Sequence, residues 1–523
     1  LERLFPLEIP MRKTILLLAA LCFVQPVLRA DGTAPAENGE RQKERKAHVG
    51  RAFIEMGINW SYSAYNYWRK YAKFVEDWQF ELTWKDQRRK WFTSEGLRLD
   101  SNNFRLNWTH AWSGALYYNW ARSNRLGPFP SFLFSFGGSL LWEYVAEWRE
   151  ISSINDNVFT SVGGPAIGEP LFQIGDHFRS RPGWANRVAT FLVNPLLAFN
   201  DLLDGRDRLP RVPGDGKADF RISLGWQYGP VSGGADRAGR AALDIDLRLV
   251  TLPGYGRAGS GSGWAPAPVA SEYRLSPVFN AGGFEELAGS TRVVFAGLWR
   301  RDVVEEGNGR LRGSELWLGP AMGWELILKD PVVPYDGNDL GMTDPWFLRE
   351  RPTRYTDKQS LIHILGPAAS WTGYAGRLQA RADVEALLDF GMVNSLPFND
   401  YTALHDPWGV KTTLNNWGYY YSLGYTVGGR VDVRRGGLRL EAGARYQRFR
   451  SIQGHDRFQG DILDDSPLRD SRFAYDAALS LAVPRSPLFL AFRLEGIDRW
   501  GRFHEVSRRA RETRFSCRLG VSF

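Results

Sequence analysis

The sequence predicts a mainly β fold, a transmembrane antiparallel β-barrel of about twelve strands (ten to fourteen remain open), with an N-terminal helical insert. Three observations predict it. Apolar and polar residues alternate over long segments after residue 216, compact connectors alternate with long ones, and the chain ends on an alternating segment whose last residue is Phe523. These features are typical of barrels that cross the bacterial outer membrane.

The alternating segments are long. In 220–228 every second residue is apolar, and 243–249, 378–385 and 438–446 repeat the pattern. Period two indicates strands with two different faces. A water-soluble β-sandwich also alternates, but its strands are typically about five or six residues long. The segment 417–433 is far longer and exceeds the roughly 9–11 residues that cross a bilayer obliquely.

The connectors assign a side to each loop. Compact connectors are predicted at 372–375, 434–437 and 484–487, and long polar ones at 252–289, 329–358, 390–414 and 451–471. Outer-membrane barrels have short periplasmic turns and long outer loops. The last three long connectors are therefore expected to face outward.

The C-terminal segment places one apolar face on Phe515, Cys517, Leu519, Val521 and Phe523. It resembles the closing strand that the barrel assembly machinery recognises, so this machinery is an expected partner.

About eleven strands are predicted after residue 217. If Phe523 lies on the periplasmic side, an odd number of strands requires the chain to cross the membrane once before residue 217. The alternating stretches 78–84 and 104–108 are the two candidates. Segments 291–303, 312–328 and 360–372 alternate poorly, and a Leu-Gly-Pro-Ala motif in each of the last two indicates a bulge.

The N-terminus predicts export. Met11-Arg12-Lys13 precedes an apolar run from Ile15 to Val24, which is typical of a secretory signal, and Met11 is the predicted start. Cys517 is the only cysteine after that signal, so no intramolecular disulfide is expected. No run of about 18 apolar residues without charge follows, which disfavours a bundle of membrane helices. The predicted localisation is the bacterial outer membrane.

Composition supports a membrane partner rather than a nucleic acid. Aromatic residues make up 14% of the chain, with 21 Trp, as expected of aromatic girdles at both membrane faces. The formal net charge is +8, and most of the 66 basic residues are Arg. This excess suits contact with outer-membrane lipid and lipopolysaccharide. No basic run is dense enough to indicate nucleic-acid binding, and the oligomeric state stays open.

Residues 113–205 do not alternate. The stretches 114–123, 132–148 and 185–203 are predicted to be apolar helices, and their predicted location is the lumen, because a barrel of about twelve strands is wide enough to hold them. The predicted division is 1–30 for upstream residues and signal, 31–75 for a polar periplasmic segment, 76–215 for the helical domain with the first strand, and 216–523 for the barrel.

The helical region resembles a known bacterial family, catalogued as domain of unknown function 3943, over about 95–205. The resemblance rests on spaced positions rather than on one continuous motif. These positions include Asn102, Asn107, His110, Tyr117, Tyr118, Arg122, Trp142, Glu143, Glu147, Ser153, Asp156, Gly163, Gly164, Gly168 and Glu169. The family implies barrel strands after this unit and brings no activity with it.

Three positions depart from the family pattern. Ala111 and Ser152 stand where members carry Pro, and Gln173 stands where members carry Arg. A role that depends on that Arg is therefore not expected of this chain.

His110, Glu143 and Glu147 are the candidate catalytic residues. Glu143 and Glu147 are four residues apart, so on a helix they share a face. One interpretation is a metal or general acid/base site. The other is an ion-pair network with Arg122 and lumenal arginines, favoured because no zinc-protease spacing is present. No cofactor is predicted, and the identity of any metal stays open.

Four small-residue positions have structural explanations. Ser153 fits a helix cap followed by Asp156 better than a nucleophile, and Ser139 lacks a Gly-x-Ser-x-Gly setting. Gly163, Gly164 and Gly168 lack the context of a dinucleotide site and are predicted to form a tight turn under close packing.

Two function classes remain open. The favoured one is a non-enzymatic barrel, either a plugged channel or a structural barrel. The alternative is an outer-membrane enzyme that acts on lipid or lipopolysaccharide through His110, Glu143 and Glu147.

Overall fold

The computed structural model describes most of the chain after residue 46. The described residues are 47–70, 82–100, 104–204, 216–230, 237–280, 283–307, 309–329, 357–398, 400–401, 413–414, 419–452 and 467–523. The predicted signal and its start at Met11 lie outside them, as do Asn102 and residues 71–81.

Helices occupy the N-terminal part. They are α1 (Val49–Lys70), α2 (Trp84–Phe92), α3 (Phe104–Ser123), α4 (Pro128–Leu141), α5 (Ile154–Arg179), α6 (Trp184–Val193) and α7 (Pro195–Leu203). A π-helix, Trp142–Ala146, continues α4, and the short strands β1 (Leu97–Arg98) and β2 (Ser152–Ser153) pair in parallel. Among the described residues, no helix is both long and apolar enough to span a membrane.

Strands form the remainder. They are β3 (Lys217–Pro230), β4 (Arg237–Val250), β5 (Gly259–Ala265), β6 (Ala270–Asn280), β7 (Gly283–Val294), β8 (Gly297–Glu306), β9 (Arg310–Lys329), β10 (Lys358–Gly376), β11 (Leu378–Asn394), β12 (Tyr419–Arg435), β13 (Leu438–Ser451), β14 (Arg469–Ala482), β15 (Leu488–Phe503) and β16 (Val506–Ser522). β16 pairs with β3 and β9 pairs with β10, so twelve described strands close into one antiparallel barrel. The predicted strand number is confirmed.

The route to that number was wrong in one respect. All twelve barrel strands follow residue 216, so no earlier crossing is needed. Residues 104–108 begin α3, and α2 begins at Trp84, while most of 78–84 lies outside the described residues. Segments 291–303, 312–328 and 360–372, which alternate poorly, belong to β7, β8, β9 and β10.

Two of the long strands in this part of the sheet are interrupted, so each consists of two elements that lie in line. β7 pairs with the second half of β9 and β8 with its first half, so β7 and β8 follow one line broken at Phe295-Ala296. β5 and β6 do the same beside them. The predicted long connector 252–289 therefore contains strands and was wrong.

Short and long connectors alternate between the two ends of the barrel from β9 to β15, as predicted, but the connector between β15 and β16 at the loop end is only 504–505, and the turn-end connector between β4 and β6 is long. At the turn end lie the short connectors 436–437 and 483–487. The turn predicted at 372–375 falls instead at Gly376-Arg377, because β10 continues through 372–375. At the loop end lie 330–357, 395–418 and 452–468. The two Leu-Gly-Pro-Ala motifs pair with each other, and a register shift after His363 confirms the predicted bulge.

Ion pairs identify the inner face of the barrel. Arg221 Nη2 on β3 lies 2.8 Å from Glu441 Oε2 on β13. Arg248 Nη1 on β4 lies 2.7 Å from Asp383 Oδ2 on β11. Since these strands are not neighbours, only the concave face can bring the side chains together. The charged face is therefore lumenal, and the alternating apolar face points outward.

Helix α5 packs on the outward face. Its Phe178 contacts Phe220 on β3, its Ala166 carbonyl accepts a hydrogen bond from Thr291 Oγ1 on β7, and its Phe159 contacts Phe390 on β11. The outward residues that α5 covers are paired directly from each strand to the next, and together they form one ladder across the wall. Each of them is adjacent in sequence to an ionisable residue whose side chain points into the lumen. The ladder is Phe220, Leu247, Tyr273, Thr291, Trp324, Ile362 and Phe390.

The dimensions of this packing agree with a helix that crosses the strands at right angles. From Phe159 to Phe178, α5 rises about 29 Å at about 1.5 Å per residue. The ladder from β3 to β11 crosses six strand spacings, which is also about 29 Å at about 4.8 Å each. Phe220 lies near the start of β3 at the turn end, and Phe390 lies near the end of β11 at the loop end. Because α5 contacts both residues, it covers the wall from the turn end to the loop end.

The predicted location of the helices in the lumen was therefore wrong. The lumen is filled by side chains that reach each other across it, and a helix between them would separate ion pairs such as Arg248 and Asp383. The apolar side of α5 instead covers outward residues of the wall. Ile174 and Phe178 form one buried cluster there with Phe220, Leu247 and Leu249.

Small residues let α3 and α5 pack closely as a parallel pair. An ideal Cβ on Gly114 would lie 1.8 Å from the carbonyl oxygen of Thr160, and one on Gly163 would lie 2.6 Å from Ala111 Cα. Gly163, Gly164 and Gly168 thus serve close packing, as predicted, but inside a continuous helix rather than at a tight turn. Contact at this distance requires glycine.

We expect Gly114→Ala to reduce stability and assembly, because the new methyl group meets backbone that cannot rotate away. Overpacking costs about 1–3 kcal/mol. Gly137→Ala is the matched control, since it adds the same group on a neighbouring helix with no atom within 4 Å. A folded barrel that has not been boiled migrates on a gel at a different position from the unfolded chain. The measurement is the urea concentration at which half of each variant loses this folded mobility. Equal midpoints for the two variants would contradict the packing described.

Candidate functional site

The predicted site residues divide into two clusters in the helical region. We call the first the rim cluster (Asn107, His110, Glu143, Ser153, Asn155 and Asp156), which lies near the loop end. The second is the Glu169 cluster (Tyr118, Arg122, Glu169 and Gln173), which lies further along α3 and α5. The sequence analysis grouped Arg122 with His110 and Glu143, but in the structure Arg122 lies in the Glu169 cluster.

The rim cluster joins the helices to the barrel wall. Asn107 Nδ2 donates to Tyr419 Oη over 2.7 Å, and Tyr421 Oη donates to Asn107 Oδ1 over 3.0 Å. Asn155 Nδ2 also donates to Asn107 Oδ1, over 2.6 Å. Both tyrosines lie at the start of β12 on the outward face. Buried polar groups must be paired, so this network fixes α3 and α5 to β12.

His110 pairs with Asp156 rather than with the two glutamates. His110 Nδ1 lies 3.0 Å from Asp156 Oδ1, and the His110 side chain keeps 24% of its surface exposed while that of Asp156 keeps 4%. Asp156 also accepts from Asn155 Nδ2 over 2.7 Å. A carboxylate that holds one ring nitrogen of a histidine fixes the orientation of the ring.

Glu143 and Glu147 do not share a helix face. The π-helix ends after Ala146, and Glu147 leaves the helical conformation. Glu143 Oε2 accepts a hydrogen bond from the Ser153 amide over 2.6 Å, whereas Glu147 Oε1 accepts one from Trp142 Nε1 over 2.8 Å. Lys90 Nζ donates to the backbone carbonyl of Glu143 over 2.7 Å. The carboxylates thus stabilise the join between the π-helix and α5.

Ser153 is the helix cap that the sequence predicts. Its Oγ accepts from the Asp156 amide over 3.2 Å at the start of α5, and it donates to Asn155 Oδ1 over 3.0 Å. Ser139 donates to Asn157 Oδ1. Neither hydroxyl is held by His110.

The Glu169 cluster is a buried ion pair between α3 and α5. Glu169 is fully buried, and Arg122 binds both of its carboxylate oxygens, with Nε to Oε2 at 2.8 Å and Nη2 to Oε1 at 3.0 Å. Tyr118 Oη donates to Oε2 over 2.7 Å and Gln173 Nε2 to Oε1 over 2.7 Å. The predicted pairing of Arg122 with Glu143 and Glu147 was wrong. Gln173 supplies an amide donor, so one guanidinium balances this carboxylate.

Other family positions pack the helices. Tyr117 lies in a buried cluster with Ala52 and Met56 of α1, and Gly138 leaves room for Tyr117 and Met56. Trp142 contacts Trp60 and Tyr67 of α1. These residues attach α1, which the sequence placed in a polar segment, to α3 and α4.

Sequence reasoning missed the lumenal network. Arg292 Nη1 on β7 lies 2.9 Å from Glu385 Oε2 on β11, and Arg445 Nη2 on β13 lies 3.0 Å from Glu385 Oε1. Next to the loop end, burial alone would raise the pKa of Asp357, but Arg472, Arg499 and Lys329 hold it well below its usual range. The signal was present, since the polar residues that alternate along the strands carry both charge signs.

The described residues contain no group of three or more His, Cys, Asp or Glu side chains arranged to hold a metal ion. What the rim cluster offers chemically is a partly exposed histidine oriented by an aspartate.

We expect Glu143→Ala to lower the free energy of unfolding by about 1–3 kcal/mol, because it leaves a buried Ser153 amide without its acceptor. Glu147→Ala is the matched control, since it removes the same carboxylate from a less buried position, and its effect should be smaller. Glu143→Gln retains an acceptor oxygen and should recover part of the loss. The urea midpoints of the three variants test this order. A larger loss for Glu147→Ala would reverse the assignment.

Solved structures with a similar fold are outer-membrane barrels. The outer membrane phospholipase of Salmonella typhi, solved as a dimer with bound calcium, aligns over 58% of this chain and 90% of its own, with 11% identity and a TM-score of 0.22. OmpT of Vibrio cholerae aligns over 59% and 98%, with 7% identity and a TM-score of 0.21. The channel DcaP of Acinetobacter baumannii aligns over 59% and 97%, with 10% identity and a TM-score of 0.19.

At these identities the likeness concerns the fold alone. No curated protein matches the chain. The family comparison covers the helical region and not the barrel. Residues 96–196 match the family described as Domain of unknown function (DUF3943), and this match lies in front of the twelve-stranded barrel.

Proposed function

We propose that this protein is an outer-membrane barrel whose own side chains close its lumen, so that it serves as a structural barrel or a closed channel. The observation that carries the proposal is the set of ion pairs across the lumen, among them Arg221 with Glu441, Arg248 with Asp383 and Arg292 with Glu385. Each joins strands on different sides of the barrel. An open pore of this strand number would keep such side chains hydrated and apart.

An apolar cluster supports closure at the loop end. Leu361, Tyr420, Phe449 and Phe503 point into the lumen there and pack with Phe398 from the β11–β12 connector. Below this cap, the lumen retains a cavity of about 320 Å³ lined by charged residues such as Arg292, Glu325 and Arg445. We call the cap and the ion pairs together the lumenal closure.

The exposed surface supports a membrane location. Leu224 and Trp226 on β3, Val427 on β12 and Leu519 on β16 are exposed and point outward. The helices that cover the wall elsewhere expose apolar side chains on their own outer side. These include Phe53 and Ile58 on α1, Leu133 and Phe136 on α4, and Phe191 and Leu192 on α6. In water such a surface would drive aggregation.

We expect the purified protein to show no steady conductance in planar bilayers. A triple variant, Arg292→Ser, Arg445→Ser and Phe503→Ser, removes two guanidinium groups and one ring from the lumenal closure and should conduct. The matched control is Arg509→Ser, Arg511→Ser and Phe515→Ser, which makes the same three replacements on the outward face of β16 and should remain closed. Steady conductance of the unmodified protein would overturn the proposal.

A second candidate function is an enzyme acting on lipid or lipopolysaccharide. The pairing of partly exposed His110 with buried Asp156 near the loop end favours it. The lumenal closure does not bear on this candidate, because the rim cluster lies on the outer side of the wall. The two functions therefore need separate measurements.

We expect the purified protein to release no more fatty acid from phospholipid or lipopolysaccharide than its His110→Ala variant does. Asp156→Asn keeps shape and removes charge, and its thermal stability provides the folding control. Fatty-acid release that disappears in both variants while their folded gel mobility persists would establish the enzyme instead.

A further inference from the structure

A row of arginines lies on the outward face of the barrel at the loop end. Arg450 on β13 is paired directly with Arg469 on β14, and Arg469 with Arg502 on β15. We call these three residues the arginine rung. The adjacent rung, one step nearer the turn end on the same face, contains Arg448, Ser471, Trp500 and Arg509.

The strand alternation shows that both rungs point away from the lumen. Phe449, which precedes Arg450, belongs to the lumenal cap. Asp470, which follows Arg469, accepts a hydrogen bond from Tyr420 of the same cap over 2.8 Å. Arg450, Arg469 and Arg502 are exposed.

Like charges at directly opposed positions destabilise a sheet. Many lumenal arginines of this barrel form ion pairs with carboxylates, and on the outward face Arg509 and Arg511 share Asp498. Within the described part of the chain, no carboxylate forms an ion pair with Arg448, Arg450, Arg469 or Arg502. A bound anion would remove the repulsion that this arrangement creates.

The rungs border a cavity on the outer surface. It has a volume of about 520 Å³, and its lining includes Arg448, Arg469, Arg502 and Arg509 together with Tyr446 and Trp500. The two aromatic rings stack with centroids 6.0 Å apart. Aromatic girdles mark the membrane interface in barrels, so the guanidinium groups lie at the depth of lipid headgroups.

We propose that this surface binds the phosphate groups of a bisphosphorylated glycolipid in the leaflet at the loop end. Guanidinium groups bind phosphate in a bidentate manner. From β13 to β16 the arginines span three strand spacings, about 14 Å, which is more than one phosphate group covers. The inference rests on the proposed membrane location, and it adds a ligand class to that function.

The test is native mass spectrometry of the whole protein in neutral detergent, titrated separately with bisphosphoryl lipid A, monophosphoryl lipid A, phosphatidylglycerol and inorganic phosphate. We expect the protein to bind bisphosphoryl lipid A at least tenfold more tightly than phosphatidylglycerol. The triple variant Arg448→Ser, Arg450→Ser and Arg469→Ser should lose at least tenfold in that affinity. Replacing the same three residues by Lys should lose less, because the charge stays while the bidentate geometry is lost.

The matched control is Arg377→Ser, Arg435→Ser and Arg485→Ser, which removes three exposed arginines at the turn end. It should bind lipid A as the unmodified protein does. An equal loss in both triple variants, or equal binding of phosphatidylglycerol or inorganic phosphate, would overturn the glycolipid site. A protein that stays soluble and folded without detergent would instead overturn the proposed membrane function.

Discussion

The ion pairs across the lumen are the constraint on which the rest of the structure depends. Most barrel strands place charged side chains on the lumenal face, and burial of these charges is tolerable only when they are paired. Arg221, Arg248 and Arg292 each pair with one carboxylate on a neighbouring strand and with a second on a strand that is not a neighbour, and this second ion pair forms only when the barrel closes. Closure in turn fills the interior and leaves the helices only the outer wall.

A helix on that wall has to satisfy its own polar groups without water. The helical region does this in two ways. Glycines such as Gly114 and Gly163 bring α3 and α5 close enough for backbone contact, and Glu169 receives donors from Arg122, Tyr118 and Gln173. The family positions therefore hold the helices to each other and to the wall, with His110 and Asp156 at the rim.

The barrel could be predicted from the sequence because apolar and polar residues alternate in most strands. The outward face, which carries Leu224 and Leu519, is apolar wherever lipid can contact it. Strand parity failed because the count of about eleven was one strand too low, in a part of the chain where 291–303, 312–328 and 360–372 alternate poorly. α5 was missed because Pro165 and Pro170 stand inside it and its glycines resemble a turn. Neither signal reveals that the barrel wall covers one side of this helix while neighbouring helices cover others.

The side of the wall on which the helices lie was also open to reasoning from sequence. A helix needs an apolar surface, and the lumenal positions of β4, β7 and β11 carry charges of both signs. The outward positions of β7, which include Thr291 and Gly289, are less apolar than those of β3. Such a face is better suited to protein than to lipid. The prediction did not consider, for each strand, whether the outward face is apolar enough to contact lipid or has to be covered by protein.

The outer wall is thereby divided into two parts with different neighbours. From β4 to β11 the outward ladder is buried under helices, as Leu247, Trp324 and Phe390 show. The helices also cover Phe220 on β3 and Tyr419 and Tyr421 on β12. Outward residues such as Leu224 and Trp226 on β3, Val427 on β12 and Leu519 on β16 are exposed, and the arginine rung lies at the loop end of β13 to β15. Within the described residues, this exposed part of the wall is the part that can present guanidinium groups to lipid headgroups. Helix packing therefore decides where lipid meets the barrel as well as how the barrel is braced.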